Sequence, residues 1–211
     1  LVADYRNLGN ISLQKKDWAG AEKNYLQALE LNTKVDNKSE MAEDNRNQYN
    51  LYLQKEDWKN AEKYALESLA IAEEIKDHRN TLSDSRVLTK IYVEKKERAN
   101  QDKFYHKALE TSDKINDPRE ICADLRGLGK FNMERGYREK ASENFQRSFE
   151  ISSKLNDKKE FAEDHRNLAN LAFSNGKRKE AEELYLKALK LTQEVNDPKG
   201  AGQDLTYLGN L

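Results

Sequence analysis

The chain has 211 residues, and its 37 basic and 38 acidic side chains give a formal net charge of −1. This balance excludes an overall positive field that would attract nucleic acid or an anionic membrane, and no apolar run approaches the roughly 18 residues of a membrane span. The single cysteine, Cys122, excludes an intrachain disulfide and is typical of a reducing compartment, so we expect a cytoplasmic protein with no nucleic-acid or membrane partner.

The sequence repeats itself with a fixed period, in which position i corresponds to position i + 40 throughout, without insertion or deletion. Aspartate recurs in every row, and arginine recurs two places later. The columns are Asp4, Asp44, Asp84, Asp124, Asp164 and Asp204, and Arg6, Arg46, Arg86, Arg126 and Arg166. A fixed period of this length is the mark of a solenoid, whose units bury their apolar faces against their neighbours.

We therefore predict a single array over residues 1–211. Its repeats are 1–40, 41–80, 81–120, 121–160 and 161–200, and residues 201–211 begin a sixth, truncated helix. Because the first residue is Leu1 and the sixth row stops early, we expect the sequence to be an excerpt from a longer array or a larger protein. Leu205, Leu208 and Leu211 would then support end-to-end self-association of the excised array.

Each repeat is predicted to be a pair of helices, A and B. Asp17 and Asp57 are suited to cap the B helices of the first two rows. In the fourth row, Asp117 and Pro118 begin helix A, which runs to about Arg135, and helix B follows from Arg138 to about Leu155. Glycine at the intervening turn, in Gly136-Tyr137 and Asn175-Gly176, can take the left-handed conformation that ends a helix. The B helices carry apolar residues three and four apart, and nothing alternates with period two, so the predicted fold is all α.

Small and aromatic residues at fixed places in the rows resemble the tetratricopeptide repeat. They are Leu8, Gly9, Ala21, Tyr25 and Ala28 in the first row, Leu128, Gly129, Ala141, Phe145 and Ser148 in the fourth, and Leu168, Ala169, Ala181, Tyr185 and Ala188 in the fifth. The long period is similar to that of the Pins/LGN scaffold family and of many bacterial helical-repeat regulators. The resemblance implies a right-handed α-solenoid of antiparallel helical hairpins, a tetratricopeptide-like superhelix. Rows two and three depart from the pattern, with Tyr49 and Ala65 in row two and Thr89 and Gln101 in row three. We therefore expect these rows either to pack more loosely or to bend the superhelix.

The resemblance also implies a concave groove, lined by the A helices, that holds an extended peptide or a helix. Its polar places would be Arg6, Asn10, Arg46, Asn50, Arg86, Lys90, Arg126, Lys130, Arg166 and Asn170. An apolar floor would follow at Leu13, Leu53, Val93, Met133 and Phe173, and Asn7, Asn47 and Asn167 stand where family members often hold a peptide backbone. Guanidinium groups suit carboxylates, and asparagine can both donate to and accept from a peptide backbone. The implied partner is another protein that presents an acidic or C-terminal peptide, or a helix.

The arginine column has a second interpretation that needs no ligand. Asp4 and Arg6 are about 200° apart around a helix, so they point to opposite flanks of helix A. Each arginine could then pair with the aspartate of the next repeat, from Arg6 with Asp44 to Arg166 with Asp204. The two interpretations are compatible if the pairing leaves guanidinium donors free on the groove side.

We expect a non-catalytic scaffold with no cofactor and no metal. The three histidines occupy three different places in the period, and the sequence has neither a Gly-rich phosphate loop nor a His-Glu-x-x-His motif. A peptide-sensing regulatory domain of a bacterial or archaeal signalling protein is the alternative. Nucleic-acid binding is disfavoured, because the groove places carry no repeated aromatic residue.

Overall fold

The structure, a computed structural model, describes all 211 residues and contains eleven α-helices and no strands. The helices are α1 (Val2–Gln14), α2 (Trp18–Lys34), α3 (Lys38–Gln54), α4 (Trp58–Glu74), α5 (His78–Glu94), α6 (Arg98–Ile115), α7 (Pro118–Glu134), α8 (Arg138–Ser152), α9 (Lys158–Ser174), α10 (Arg178–Glu194) and α11 (Pro198–Gly209). The prediction of an all-α fold made of helical hairpins is confirmed. No helix combines the length and the hydropathy that a membrane-spanning segment requires.

The chain divides into two compact units, Leu1–Ile115 and Asn116–Leu211. The first unit contains the hairpins α1–α2, α3–α4 and α5–α6, and the second contains α7–α8, α9–α10 and the single helix α11. Odd-numbered helices are the predicted A helices and even-numbered helices are the B helices. Within each unit, every helix packs against the helices before and after it in the chain. The grouping of all the repeats into one array stays a prediction.

Aspartate or asparagine begins most of the helices. The side chains of Asp17, Asp57, Asp117, Asp157 and Asp197 each accept a hydrogen bond from a backbone N–H in the first turn of the helix that follows. The predicted caps Asp17 and Asp57 and the Asp-Pro helix starts are therefore confirmed. Each cap satisfies an N–H group that would otherwise lack an intrahelical partner.

The helices end in a turn that recurs twice in each repeat and contains one residue with positive φ. Only two of these residues are glycines, Gly136 and Gly176, both with φ of +76°. The remaining eight have φ between 51° and 59° and are Lys16, Asp36, Glu56, Lys76, Lys96, Asn116, Asn156 and Asn196. At the first turn the N–H of Lys16 donates to the Leu13 carbonyl and that of Asp17 to the Ser12 carbonyl, which is the Schellman arrangement. Since Asp17 also caps α2, the end of one helix and the start of the next share one short turn.

The hairpin cores pair one large residue with one small residue. Gly9 lies against the ring of Tyr25, where an added Cβ would come within 2.4 Å of a ring carbon, and Gly129 lies against Phe145 in the same way. In the second hairpin the sizes are exchanged: Tyr49 is in α3 and Ala65 is in α4, and both belong to one buried cluster. Such an exchange conserves volume, so the looser packing that we expected for the second row is not found at this pair.

The unusual residue of the third row, Gln101, also has a hydrogen-bond partner. Gln101 replaces the small alanine of the other rows, and its side-chain amide donates a hydrogen bond of 2.8 Å to the Tyr92 carbonyl. The buried amide therefore has a partner. Cys122 is fully buried, and burial raises the pKa of its thiol.

The positive φ of the turn residues predicts opposite effects of two substitutions. We expect Glu56→Gly to stabilise the protein by about 0.5–1 kcal/mol, because a left-handed conformation strains residues that have a Cβ, although glycine is more flexible in the unfolded chain. Gly176→Ala should destabilise by about 1 kcal/mol through backbone strain alone, since an added Cβ would meet no atom within 4 Å. The midpoint of urea unfolding measures both effects, and midpoints that shift in the same direction would contradict the prediction.

Candidate functional site

The arginine and aspartate columns meet within each unit. Arg6 Nε lies 2.5 Å from Asp44 Oδ1, and Arg166 Nε lies 2.6 Å from Asp204 Oδ1. Arg126 lies 3.5 Å from Asp164, and Arg46 lies 3.8 Å from Asp84. We call these four pairs the ladder. The fifth predicted pair, Arg86 with Asp124, involves residues of different units and stays a prediction.

A polar side chain from the B helix completes each step of the ladder. Asn32 donates to Asp44 at 2.6 Å, and Thr192 donates to Asp204 at 3.2 Å. The Ser68 hydroxyl donates to Asp84 at 2.7 Å, and the Ser148 hydroxyl donates to Asp164 at 2.6 Å. Each aspartate is therefore held by the preceding A helix and the preceding B helix together. The sequence pattern did not reveal this donor, because it alternates between two places in the period that lie one helical turn apart.

The four ladder aspartates are fully buried or nearly so. Burial raises the pKa of Asp84, although the hydrogen bond from Ser68 and the charge of Arg46 oppose the rise. Burial likewise raises the pKa of Asp164 against the charge of Arg126 and the bond from Ser148. A carboxylate in such a place is tolerated only when it is paired and hydrogen-bonded.

The ladder arginines also contact acidic or carbonyl groups at the start of the next A helix. Arg6 and Arg126 form ion pairs with Glu40 and Glu160, and Arg46 donates to the Asn80 side chain at 2.7 Å. The Arg126 side chain is only 5% exposed. Burial would lower its pKa, but the charges of Glu163 and Asp164, together with the hydrogen bond and charge of Glu160, raise it overall. The geometry thus places these guanidinium groups in contacts between repeats.

Removal of one ladder arginine should therefore be costly. We expect Arg126→Ala to destabilise the protein by about 3–5 kcal/mol, because it leaves the buried carboxylate of Asp164 without its charge partner. Arg119→Ala is the matched control, since the Arg119 side chain is 66% exposed and pairs with Asp157 at 2.9 Å. That surface pair should contribute no more than about 1 kcal/mol. Equal and small shifts in the urea midpoint for the two variants would contradict a structural role for the ladder.

Asn10 and Asn170 each bridge the two helices of their hairpin. The Tyr25 hydroxyl donates to Asn10 Oδ1 at 2.7 Å, and the Tyr185 hydroxyl donates to Asn170 Oδ1 at 2.5 Å. The tyrosine fixes the orientation of the amide and uses its oxygen, so the Nδ2 group is the part directed to other partners. Asn50, Lys90 and Lys130 are exposed, and Lys130 lies 3.5 Å from Glu163.

A concave pocket of about 340 Å³ lies among α7, α9 and α11 in the second unit. Three of the ten polar places predicted for the groove line it: Lys130, Arg166 and Asn170. The remaining lining residues are Lys159, Glu163, Asn167, Thr192, Asp197, Lys199, Gly200, Gln203 and Tyr207. We call this the α9 pocket, because α9 supplies the largest share of its wall. The lining residues of α9 recur at helical spacing along one face of the helix.

The α9 pocket contains more positive than negative charge. Lys130, Lys159, Arg166 and Lys199 provide four cations, against the carboxylates of Glu163 and Asp197. Arg166 is paired with Asp204, and Lys130 is near Glu163. Asp197 caps α11. The hydrogen bond from the Gly200 backbone is the main cause that lowers the pKa of the Asp197 carboxyl, and the charge of Lys159 lowers it further. Lys199, at the start of α11, adds to the positive field of that helix end.

One buried amide in the α9 pocket has no hydrogen-bond partner within the protein. Asn167 is 2% exposed, and its Nδ2 atom has no acceptor. An unsatisfied buried donor costs about 1–3 kcal/mol. Asn167 is one of the residues that the family resemblance assigned to a peptide backbone, and it lines the same wall as Asn170.

The apolar floor expected for the groove is not part of this pocket. Met133 packs against the cluster of Ala141, Phe145 and Leu171, and Phe173 is 40% exposed outside the pocket wall. Phe173 lies two helical turns beyond Arg166, which places it about 10 Å farther along α9. The pocket instead receives Tyr207 and Gln203 from α11.

A family model of the tetratricopeptide repeat matches residues 166–199, which begin within α9 and end at the start of α11. A comparison with curated protein sequences finds no match.

Solved structures show the same fold over most of the chain. A signal transduction ATPase of the STAND class from Pyrococcus horikoshii, with a tetratricopeptide-repeat sensor, has a TM-score of 0.77 and 22% identity over 97% of this chain and 31% of its own. The apo form of RapI has a TM-score of 0.79 and 18% identity over 96% of this chain and 74% of its own. A Rap protein in complex with competence and sporulation factor has a TM-score of 0.65 and 18% identity, over 95% of this chain and 56% of its own. The chain therefore contains a tetratricopeptide repeat at residues 166–199 and has the fold of tetratricopeptide-repeat proteins, so the predicted resemblance is confirmed.

Proposed function

We propose that this tetratricopeptide-repeat chain is a non-catalytic protein-interaction module that binds an acidic peptide, or the acidic face of a helix, from another protein on its A helices. The observation that carries the proposal is the α9 pocket, where three A helices direct lysine, arginine and asparagine side chains into one concavity. A positive concavity with amide donors suits carboxylates and peptide carbonyl groups.

The polar groups of the pocket have separate tasks in this proposal. Asn167 Nδ2 and Asn170 Nδ2 donate to backbone carbonyl groups of the bound segment, because neither amide nitrogen is used by the hydrogen bonds described above. Lys159 and Lys199 attract its carboxylates. Arg166 contributes mainly by holding α9 against α11 through Asp204, since most of its donors are already engaged.

The same columns extend the proposal to the rest of the predicted groove. Asn10 repeats the tyrosine-oriented amide of Asn170, and exposed Asn50 and Lys90 occupy the same place in their rows. The side chains of Arg6, Arg46, Arg86 and Arg126 remain proposed as groove residues, and the ladder contacts of Arg6, Arg46 and Arg126 favour a positioning role for those three. The Rap protein complexed with competence and sporulation factor supports ligand binding by this fold.

Binding of a fluorescein-labelled peptide of alternating Asp and Leu tests the proposal by fluorescence polarisation. We expect the double substitution Lys159→Ala with Lys199→Ala to weaken binding about tenfold, and salt at about 0.5 M to weaken it for the unaltered chain as well. The control is Lys179→Ala with Lys187→Ala, which removes two exposed charges of α10 that do not line the pocket. Equal losses in the two double variants would contradict binding at the α9 pocket.

Asn167→Leu separates recognition from folding. Replacing an unsatisfied buried amide by an apolar group of similar size should leave the urea midpoint unchanged or raise it. The same substitution should weaken peptide binding, because it removes a donor to the peptide backbone. Unchanged peptide affinity in a folded Asn167→Leu variant would exclude the proposed backbone contact.

A regulatory domain of a bacterial or archaeal signalling protein is the second candidate. The likeness to the tetratricopeptide-repeat sensor of the Pyrococcus horikoshii ATPase favours it. A sensor must exist in two conformations that the ligand binds with different affinity, whereas a scaffold has no such requirement. Small-angle X-ray scattering with and without saturating peptide distinguishes them: we expect an unchanged radius of gyration for the scaffold, and a ligand-dependent change would support the sensor instead.

A further inference from the structure

A second cavity, of about 380 Å³, lies in the second unit between α8, α9 and the start of α10. Phe149, Leu168, Leu171 and Leu184 form its apolar walls, and Ser142 and Asn175 are among its polar lining residues. We call it the α8–α10 notch. It shares no residue with the α9 pocket, so the proposed peptide site does not account for it.

Tyrosine rings occupy the equivalent places in the first unit. Tyr52 stacks on Tyr64 with ring centroids 5.6 Å apart, and its hydroxyl donates to Glu22 at 2.7 Å. One repeat later, Tyr92 stacks on Phe104 at 5.5 Å, and its hydroxyl donates to Glu62 at 2.6 Å. Both tyrosines are buried. At each place the ring lies between two successive repeats, against a carboxylate from the earlier B helix.

Comparison of equivalent places in the repeats shows which residues differ at the notch. Ala172 stands at the place of Tyr52 and Tyr92, and Ser142 stands at the place of Glu22 and Glu62. Leu184 replaces the aromatic partner, Tyr64 or Phe104. All three substituted residues line the notch. The cavity therefore opens where the first unit holds a phenol ring.

We propose that the α8–α10 notch binds a phenol-type aromatic ring, carried by a tyrosine side chain of a partner protein. The first unit shows that this place between repeats accepts such a ring, with its hydroxyl directed to the B-helix residue that here is Ser142. The Phe149 wall is held in place by aromatic contacts with Phe161 at 4.9 Å and with His165 at 5.1 Å. Leu168, Leu171 and Leu184 provide apolar surface for the ring, and a serine hydroxyl can accept a hydrogen bond from a phenol.

The proposal is tested with two probes, p-cresol and N-acetyl-tyrosine amide, in ¹H–¹⁵N NMR titrations of the full chain. We expect saturable shifts of the Ser142, Ala172 and Leu184 amides with a Kd on the order of 1 mM, the affinity typical of a ring-sized ligand with one hydrogen bond. Ala172→Tyr should fill the notch and weaken the binding of both probes at least about tenfold, with circular dichroism confirming that the variant is folded.

Tyr92→Ala is the matched variant in the first unit. It should open a second notch and produce new saturable shifts at Glu62 and Phe104. Absence of saturable shifts at the notch of the unaltered chain, or equal binding to folded Ala172→Tyr, would overturn the proposal. Binding of p-cresol without binding of N-acetyl-tyrosine amide would overturn the assignment to a protein side chain and indicate a free phenol.

Discussion

The stacking of hairpins within each unit depends on four buried carboxylates, each of which joins its own helix to the two helices before it. Asp164 shows the arrangement. It lies in the first half of α9, accepts a hydrogen bond from the Ser148 hydroxyl of α8, and forms an ion pair with Arg126 of α7. A buried charge is unfavourable unless its partners are in place. The stacking of one hairpin on the next is therefore specified by the requirement that an arginine and a hydroxyl or amide donor converge on the same carboxylate. Because the carboxylate must reach both partners at once, the spacing between repeats has little freedom.

The turns impose the same spacing along the chain. Twice in each repeat a residue in the left-handed conformation ends one helix. In most turns the residue after it caps the helix that follows. An inserted residue would displace both the cap and the buried aspartate in the helix that follows. These two constraints together explain why the period has no insertions, and why it persists in the third row, where the small and aromatic core residues do not follow the pattern.

Four of the five arginines in the column make ladder contacts between repeats, so in the proposed function other groups supply most of the contacts to the ligand. A groove of free guanidinium groups would bind any anionic surface, whereas Asn10 and Asn170 are oriented by tyrosines and offer an amide nitrogen in a defined direction. Lysines at the rim of the α9 pocket then supply charge that remains accessible to solvent. In the proposed function, the asparagines bind the backbone of an extended acidic segment and the lysines attract its side chains.

Much of this fold was predictable from the sequence, because the caps, the period and the spacing of apolar residues are local signals. The separation of Asp4 and Arg6 by about 200° around the helix suggested the pairing of each arginine with the next aspartate as one of two interpretations. Other features carry no such signal. Glu56 and Lys76 have positive φ although their side chains do not favour it, so their turns were not predicted from residue type. The residue that donates to the ladder aspartate is Asn32 in the first row and Ser68 in the second, at places one helical turn apart in the period. Each of these residues alone resembles an ordinary polar position. Ala172 is an ordinary helix residue, and only the tyrosines in the equivalent places of the first unit show that this place can hold a ring.

A double-mutant cycle on Arg126 and Asp164 measures the central interaction directly. Arg126→Met, Asp164→Leu and the double variant would be compared with the unaltered chain by urea unfolding. If the buried pair specifies the stacking, each single substitution should be strongly destabilising, and the double variant should recover at least about 1.5 kcal/mol relative to the sum of the single effects. Additivity within about 0.5 kcal/mol would show that the two side chains are independent, and would contradict the role assigned to the ladder.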